Sequence, residues 1–303
     1  MKFNLKQIEA FVWVADLGNF RKAAARLHTT QPNISGRIAA LETALDTRLM
    51  ERDAGSVRLT SQGQKLLPYA RKVMSSTDAL LDAAGQSALL DDILKLGVTE
   101  MVVNTWLRDF LKRLKEHYPH VIVELTVDVS VNIEKELQER SIDLALQNEP
   151  FAHQMSGNVD LGTYPIIWVT SPQLQLAKEQ PVTLQEISAH PIFTHSRNTR
   201  LYEEIARHFA EKQPGTRLVP SSNLAACLHM TADAMGIACV PAAMVVSELR
   251  SGELTQINYP WTPESLHFLA RYEAERSSGL VVKAAQIAGE VSREFLSQHA
   301  TKT

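Results

Sequence analysis

Residues 29–37 read Thr-Thr-Gln-Pro-Asn-Ile-Ser-Gly-Arg, a short run dense in side chains that hydrogen-bond base edges. Gln31 and Asn33 can each bond an adenine through two atoms, and Arg37 can do the same to guanine. Thr30, Pro32 and Ser35 complete the polar side of the segment. Arg21 and Lys22 precede it, and Arg52 and Arg58 follow it. Two cations in the first turn of a helix oppose its macrodipole, a cost that is offset if a phosphate lies against that end. Taken alone, Arg21 and Lys22 also read as ordinary solvated surface charge.

A second polar set falls where strands are predicted to end. It comprises Thr99 and Glu100, Thr126 and Asp128, Asn148, and the run Thr194, His195, Ser196 and Arg197. Strand ends and helix starts are where α/β proteins bind small molecules. The hydroxyls, backbone N–H groups and Arg197 of the last run suit a carboxylate, although Ser, Asn and Thr before a helix are also plain caps. Glu100 repels an anion unless it is paired, and would instead favour an amine or an amino acid.

Catalytic signatures are missing from the chain. No GxxxxGK[ST], GxGxxG, GxSxG or HExxH is present, and the ten histidines show no metal-ligand spacing. His117 and His120 bracket a helix end and read as surface residues. Cys227 and Cys239 lack CxxC spacing and lie in apolar text, which reads as two buried structural thiols. A redox sensor using those cysteines is one alternative, and an enzyme built on the α/β body is another. No metal or cofactor is expected.

The elements that must hold these residues follow from periodicity. Leu5, Ile8, Val12 and Ala15, with Phe11, define a first helix ending near Gly18. Asn19 reads as the cap of a second, from Phe20 to about His28. Thr30 caps a third, with Pro32 in its first turn and Ile34, Ile38, Leu41 and Leu45 buried. Two short helices joined by such a turn are a helix-turn-helix, whose second member enters the major groove. Ser56–Thr60 forms a strand of a hairpin turning at Asp53, Ala54 and Gly55. A long helix then carries Leu66, Ala70, Val73, Thr77, Leu80 and Ala84 in a heptad seam, with Pro68 inside it. Such a seam usually meets a second chain, though it also suits packing on its own domain.

The text from Gln7 to Val73 closely resembles the N-terminal domain of LysR-type transcriptional regulators. The likeness rests on Ala24, Ala25, Leu27, Thr30, Gln31, Pro32, Ser35, Ile38, Leu41 and Glu42, followed in order by Leu45, Leu49, Arg52, Leu59, Thr60 and Gly63. Gly36 stands where that family usually has Arg, Asp46 where it has Gly, Met50 where it has Phe, and Gly55 where a wing Arg is frequent. Two missing cations imply weaker nonspecific phosphate binding or a changed operator preference.

Charge agrees with that division. Residues 1–65 hold ten Lys/Arg against six Asp/Glu, while the remainder holds 21 against 28. From Leu94 onward strands and helices alternate, which implies parallel or mixed sheets covered by helices. The strands are Leu94–Val98, Val121–Val127, Ile142–Leu146, Ile166–Thr170, Pro191–Thr194, Gly236–Pro241 and Leu266–Tyr272. One helix buries Val103, Leu107, Phe110, Leu111 and Leu114.

The resemblance implies a winged helix-turn-helix over 1–60, a dimerising linker helix over 61–90 and a periplasmic-binding-protein-like effector domain over 91–303. In it, subdomain I spans 91–163 and 266–303, and subdomain II spans 164–265. The implied partners are a double-stranded DNA operator, a small-molecule effector between the subdomains, further copies of the chain as a dimer of dimers, and RNA polymerase. The start of the chain lacks the apolar core of a signal peptide, and no stretch is long enough to span a bilayer, so a cytoplasmic location without a membrane partner is expected.

Overall fold

The computed structural model describes residues 2–53, 56–83, 93–176, 180–275 and 277–299. The chain divides into two compact units, Met1–Leu89 with Glu273–Leu280, and Leu90–Tyr272 with Val281–Thr303.

The first unit contains α1 (Leu5–Leu17), α2 (Phe20–Arg26), α3 (Gln31–Leu45), β1 (Met50–Asp53), β2 (Ser56–Leu59) and α4 (Ser61–Ala83). Its helix starts are written locally. Asn4 and Gln7 form a reciprocal capping box on α1, and the Asn19 side chain accepts from the backbone N–H groups of Arg21 and Lys22. Gly18 ends α1 with φ +59°, a left-handed residue that turns the chain into α2. The small Ala23 and Ala24 let α2 approach a core of Ile8, Phe11, Val14, Phe20, Ile34, Ile38, Leu41 and Leu49.

Three signature residues clamp the wing to this core. Glu42 Oε1 accepts from Leu49 N at 2.7 Å and Met50 N at 3.1 Å, tying α3 to the start of β1. The Thr60 hydroxyl donates to Arg48 O and accepts from Gly63 N, which caps α4. A Cβ on Gly63 would come within 2.2 Å of Leu49 O, so only glycine permits that approach.

The predicted seam of α4 is divided along its length. Leu66, Leu67, Ala70 and Met74 pack on the core of their own unit, and Arg71 pairs with Asp16 of α1. Tyr69, Val73 and Leu80 are exposed, Tyr69 and Leu80 each at 69%. Among the described residues the exposed apolar seam positions are Val73 and Leu80; Ala84 lies outside the described residues, as do Ala54 and Gly55 of the hairpin turn.

The second unit contains β3 (Ile93–Val98), α5 (Glu100–Val103), α6 (Leu107–His117), β4 (Ile122–Val127), α7 (Ser130–Gln138), β5 (Leu144–Asn148), β6 (Gly157–Tyr164), β7 (Ile166–Thr170), α8 (Leu184–Ser188), β8 (Ile192–Thr194), α9 (Arg200–Lys212), β9 (Leu218–Pro220), α10 (Leu224–Ala232), β10 (Ile237–Pro241), α11 (Val246–Ser251), β11 (Thr255–Gln256), β12 (Leu266–Tyr272) and α12 (Gly279–His299). The strands form two five-stranded mixed sheets, ordered β4-β3-β5-β12-β6 and β11-β7-β10-β8-β9.

The chain crosses from the first sheet to the second between Tyr164 and Ile166 and returns between Gln256 and Leu266. Register fixes which ends meet. Phe268, just past the return, lies opposite Asn148 at the end of β5, and Ile166 lies opposite Pro241 at the end of β10. Both crossings thus lie at the C-terminal ends of parallel strands, so each sheet turns that end toward the other.

Besides the unforeseen short elements α8, α11 and β11, two features that bear on the sheet ends depart from the sequence reading. Strand β6 has no counterpart there, because Gly157, Asn158, Asp160 and Gly162 make turn-like text; it survives as an edge strand with a register shift opposite Phe268 and Leu269. The helix predicted to carry Val103 to Leu114 is two helices, interrupted at Asn104–Trp106, where Trp106 turns inward and its Nε1 donates to Tyr164 OH at 2.9 Å.

Candidate DNA interface and effector cleft

Helix α3 presents two chemically distinct sides. Ile34, Ile38 and Leu41 are buried, whereas Thr30, Gln31, Pro32 and Asn33 are exposed and Ser35 and Arg37 half-buried. Thr30 sits at the cap position, as its type predicts, but its side chain makes no cap hydrogen bond. That end of α3, with its macrodipole, therefore stays open to an external acceptor such as a phosphate oxygen. Asn33 Nδ2 donates to Thr29 Oγ1 at 2.8 Å, which engages one of its two amide hydrogens.

Arg21 and Lys22 are exposed at the start of α2, where Asn19 already holds their backbone N–H groups. Their charge, rather than that helix end, is what they offer a phosphate. Arg58 is exposed on β2, and Arg52 lies on β1 with its side chain outside the described residues. A Cβ on Gly36 would meet nothing within 4 Å, so the missing family arginine leaves open space on this face.

In the second unit, Thr99 and Glu100 follow β3 at the sheet end where the crossings lie. Thr99 N donates to Leu146 O, and Thr99 is 7% exposed with no partner for its hydroxyl among the described residues. Glu100 reaches α10, a helix that packs on the other sheet. Its Oε2 accepts from Leu224 N at 2.7 Å and its Oε1 from Ala225 N at 3.2 Å, both in the first turn of α10.

The Thr194 run lies beside that turn. Ser221 N donates to Thr194 O, Ser196 Oγ donates to Ser221 O, and Ser221 and Asn223 bond each other ahead of α10. Thr194 is fully buried, and its hydroxyl has no partner among the described residues. His195 Nε2 is likewise buried without a partner, and burial pulls the His195 pKa down to about 4, so the imidazole is neutral near pH 7. Glu100 therefore ties the turn after β3 to the start of α10, whose leading loop is bonded to the end of β8 through Thr194 O.

The other sequence-predicted residues are exposed or half-buried, or carry local bonds. Arg197 is exposed, donates to Tyr202 OH at 2.8 Å and lies over that ring. Asp128 is exposed and accepts from Val129 N and Asn132 Nδ2, and Asn148 is bonded to Ser130. Thr126 is half-buried on the edge strand β4.

Sequence reasoning missed Gln147, fully buried near the end of β5 with neither end of its amide partnered among the described residues, although a glutamine inside Leu-Ala-Leu-Gln-Asn was a visible anomaly. It also missed Arg200, which donates to Glu264 Oε2 and to Ser265 O and so anchors the returning crossing to α9.

Residues 5–64 match the family described as "Bacterial regulatory helix-turn-helix protein, lysR family", and residues 87–291 match the "LysR substrate binding domain". The chain belongs to the LysR family. This LysR-type transcriptional regulator joins a DNA-binding winged helix-turn-helix to an α/β effector-binding domain. It is 25% identical over 251 residues to the Bacillus cereus HTH-type transcriptional regulator CzcR, covering 82% of this chain and 84% of that one. Against the Hca operon transcriptional activator HcaR of Escherichia coli the figures are 24% over 247 residues, 79% and 82%.

Among solved structures the regulator shares its fold with a cysteine variant of full-length OxyR from Pseudomonas aeruginosa, at a TM-score of 0.58 and 17% identity, covering 97% of this chain and 95% of that one. It is likewise similar to full-length CbnR complexed with its target DNA, with a TM-score of 0.51, 19% identity, and coverage of 96% and 100%. No helix among the described residues is long and apolar enough to cross a membrane.

The two thiols of this chain are enclosed. Cys227 is 1% exposed in α10 and Cys239 is fully buried in β10. Burial pushes both thiols up from their ordinary pKa, disfavouring the reactive thiolate.

Proposed function

We propose that α3 is the reading helix of this regulator, with Gln31, Asn33 and Arg37 at base edges and Thr30, Pro32 and Ser35 along the groove wall. Arg21, Lys22, Arg52 and Arg58 hold the flanking phosphates. What carries this reading is the exposure of a base-bonding face on a helix whose opposite face is wholly core. The domain scheme that goes with it is a head of 1–60, a linker of 61–90 and an effector domain of 91–303, split into 91–163 with 266–303 and 164–265. The two sheets and their crossings support that split.

The effector lies between the sheets, near Thr99, Glu100, Thr194 and His195, with Ser196 shaping the adjoining loop. Arg197, Thr126, Asp128 and Asn148 belong to its rim rather than its floor, given their exposure or local bonds. The protein works as a regulator without turnover, in the cytoplasm, as a dimer of dimers that meets RNA polymerase at the promoter. Exposed Val73 and Leu80 on α4, together with exposed Ile122, Leu125 and Val127 on the edge strand β4, support self-association. A ligand acts by its differential affinity for two arrangements of the assembly.

The reading is tested by the salt dependence of binding to a duplex from its own promoter region. Each phosphate neutralised contributes a slope of about −0.9 in log affinity against log salt. A steep negative slope, reduced by about one in Arg58→Ala, is the expected result. An affinity indifferent to salt would contradict it.

A further inference from the structure

The effector cleft contains an anion of its own. Leu224 and Ala225, the first two residues of α10, give their N–H groups to the Glu100 carboxylate, and Asn223 Oδ1 takes the next, from Ala226 at 2.8 Å. A helix start of this kind is where a carboxylate ligand would otherwise be seated. The cations placed to hold such a ligand elsewhere are engaged: Arg197 faces Tyr202, and Arg200 is bound to Glu204 and Glu264. Against this, the hydroxyls of Thr99 and Thr194 and both ends of the Gln147 amide are buried and unpartnered among the described residues. Buried polar groups of this kind normally have partners.

Resting on the placement of the effector between the two sheets, we propose that Glu100 is a built-in carboxylate that latches the two sheets together and excludes carboxylate ligands, so that the effector presents an uncharged group with both hydrogen-bond donors and acceptors. Thr99 and Thr194 have the complementary capacity: each hydroxyl donates and accepts. A tethered group competes at an effective concentration of about millimolar, so a free carboxylate below that level does not displace Glu100.

The test uses the full chain, Glu100→Ala and the shape-preserving Glu100→Gln, with a matched pair of probes, propionate and propionamide. Binding is read by ligand-observed NMR, and unfolding temperature is read at constant ionic strength. The wild type should give a signal with propionamide, lost in Thr99→Val, and none with propionate. Glu100→Ala should unfold at a lower temperature, gain a propionate signal and recover stability as propionate fills the vacated seat. Glu100→Gln, which keeps one acceptor oxygen, should fall between.

A propionate signal in the wild type, or an unfolding temperature unchanged in both Glu100 variants, would overturn the latch. Capture of propionate by Glu100→Ala with no propionamide signal in the wild type would keep the latch and overturn the uncharged class of ligand. Failure of the underlying placement looks different: Glu100→Ala would be destabilised, yet neither probe would bind any of the proteins.

Discussion

At the scale of single residues, partners decide what charge and polarity can do. Arg271 and Glu134 are almost fully buried and hold each other at 3.1 Å, while Glu134 also accepts from Ala152 N and His153 N. Burial raises the Glu134 pKa, and the two backbone donors with Arg271 outweigh it, leaving the carboxyl below its ordinary value. His267 is the converse. Burial lowers its pKa, but Asp160 at 3.0 Å and Glu149 at 3.2 Å outweigh it, leaving the imidazole above its ordinary 6.5. Because the folded value is the higher one, its contribution to stability is present below about pH 6.5 and is lost as pH rises through the folded value. An NMR titration of His267 should therefore give a midpoint above 6.5 that drops in Asp160→Asn. A midpoint at or below the ordinary value in the wild type would refute that assignment.

Much of the head was legible at this scale, because caps and turns are local. Asn19 caps where its type said it would, and Asp46, standing where the family has glycine, adopts φ +47°, which explains the glycine. The Thr30 hydroxyl does not bond as a cap, since a threonine at the right position need not point back at its helix. Glu100 was legible as an acid at a strand end, but not its partners, which lie 124 and 125 residues away and depend on both sheets.

At the scale of elements, α4 shows how one periodicity serves two surfaces. Leu66 and Ala70 share a seam with Val73 and Leu80, yet the first pair packs on the head core and the second is exposed. Spacing alone does not say where along a helix its partner changes. The exposed pair makes a prediction: Val73→Glu with Leu80→Glu should shift the chain toward monomer in analytical ultracentrifugation, with the helical signal of the head kept. Unaltered association would remove α4 from the interface. Strand β6 was illegible for the opposite reason. Its glycines and polar residues deny strand propensity, and pairing along the whole length of β12 supplies what local sequence does not.

At the scale of the whole molecule, a basic head and an acidic, two-sheet body divide the work between nucleic acid and small molecule. Layout was readable from alternating strands and helices together with the family resemblance, since both follow from chain order. The bonding of Glu100 to α10 was not, because it arises only when two crossings bring the strand ends together. The central claim, that the exposed side of α3 reads DNA, is tested most directly by comparing specific and scrambled duplex affinities at one salt concentration for wild type, Gln31→Ala and Arg37→Ala. Each bidentate base contact is worth about 1–3 kcal/mol of discrimination. Both variants should therefore lose roughly 5- to 150-fold of specific affinity while scrambled-duplex affinity and thermal stability hold. Undiminished discrimination in both would show that α3 does not read the operator.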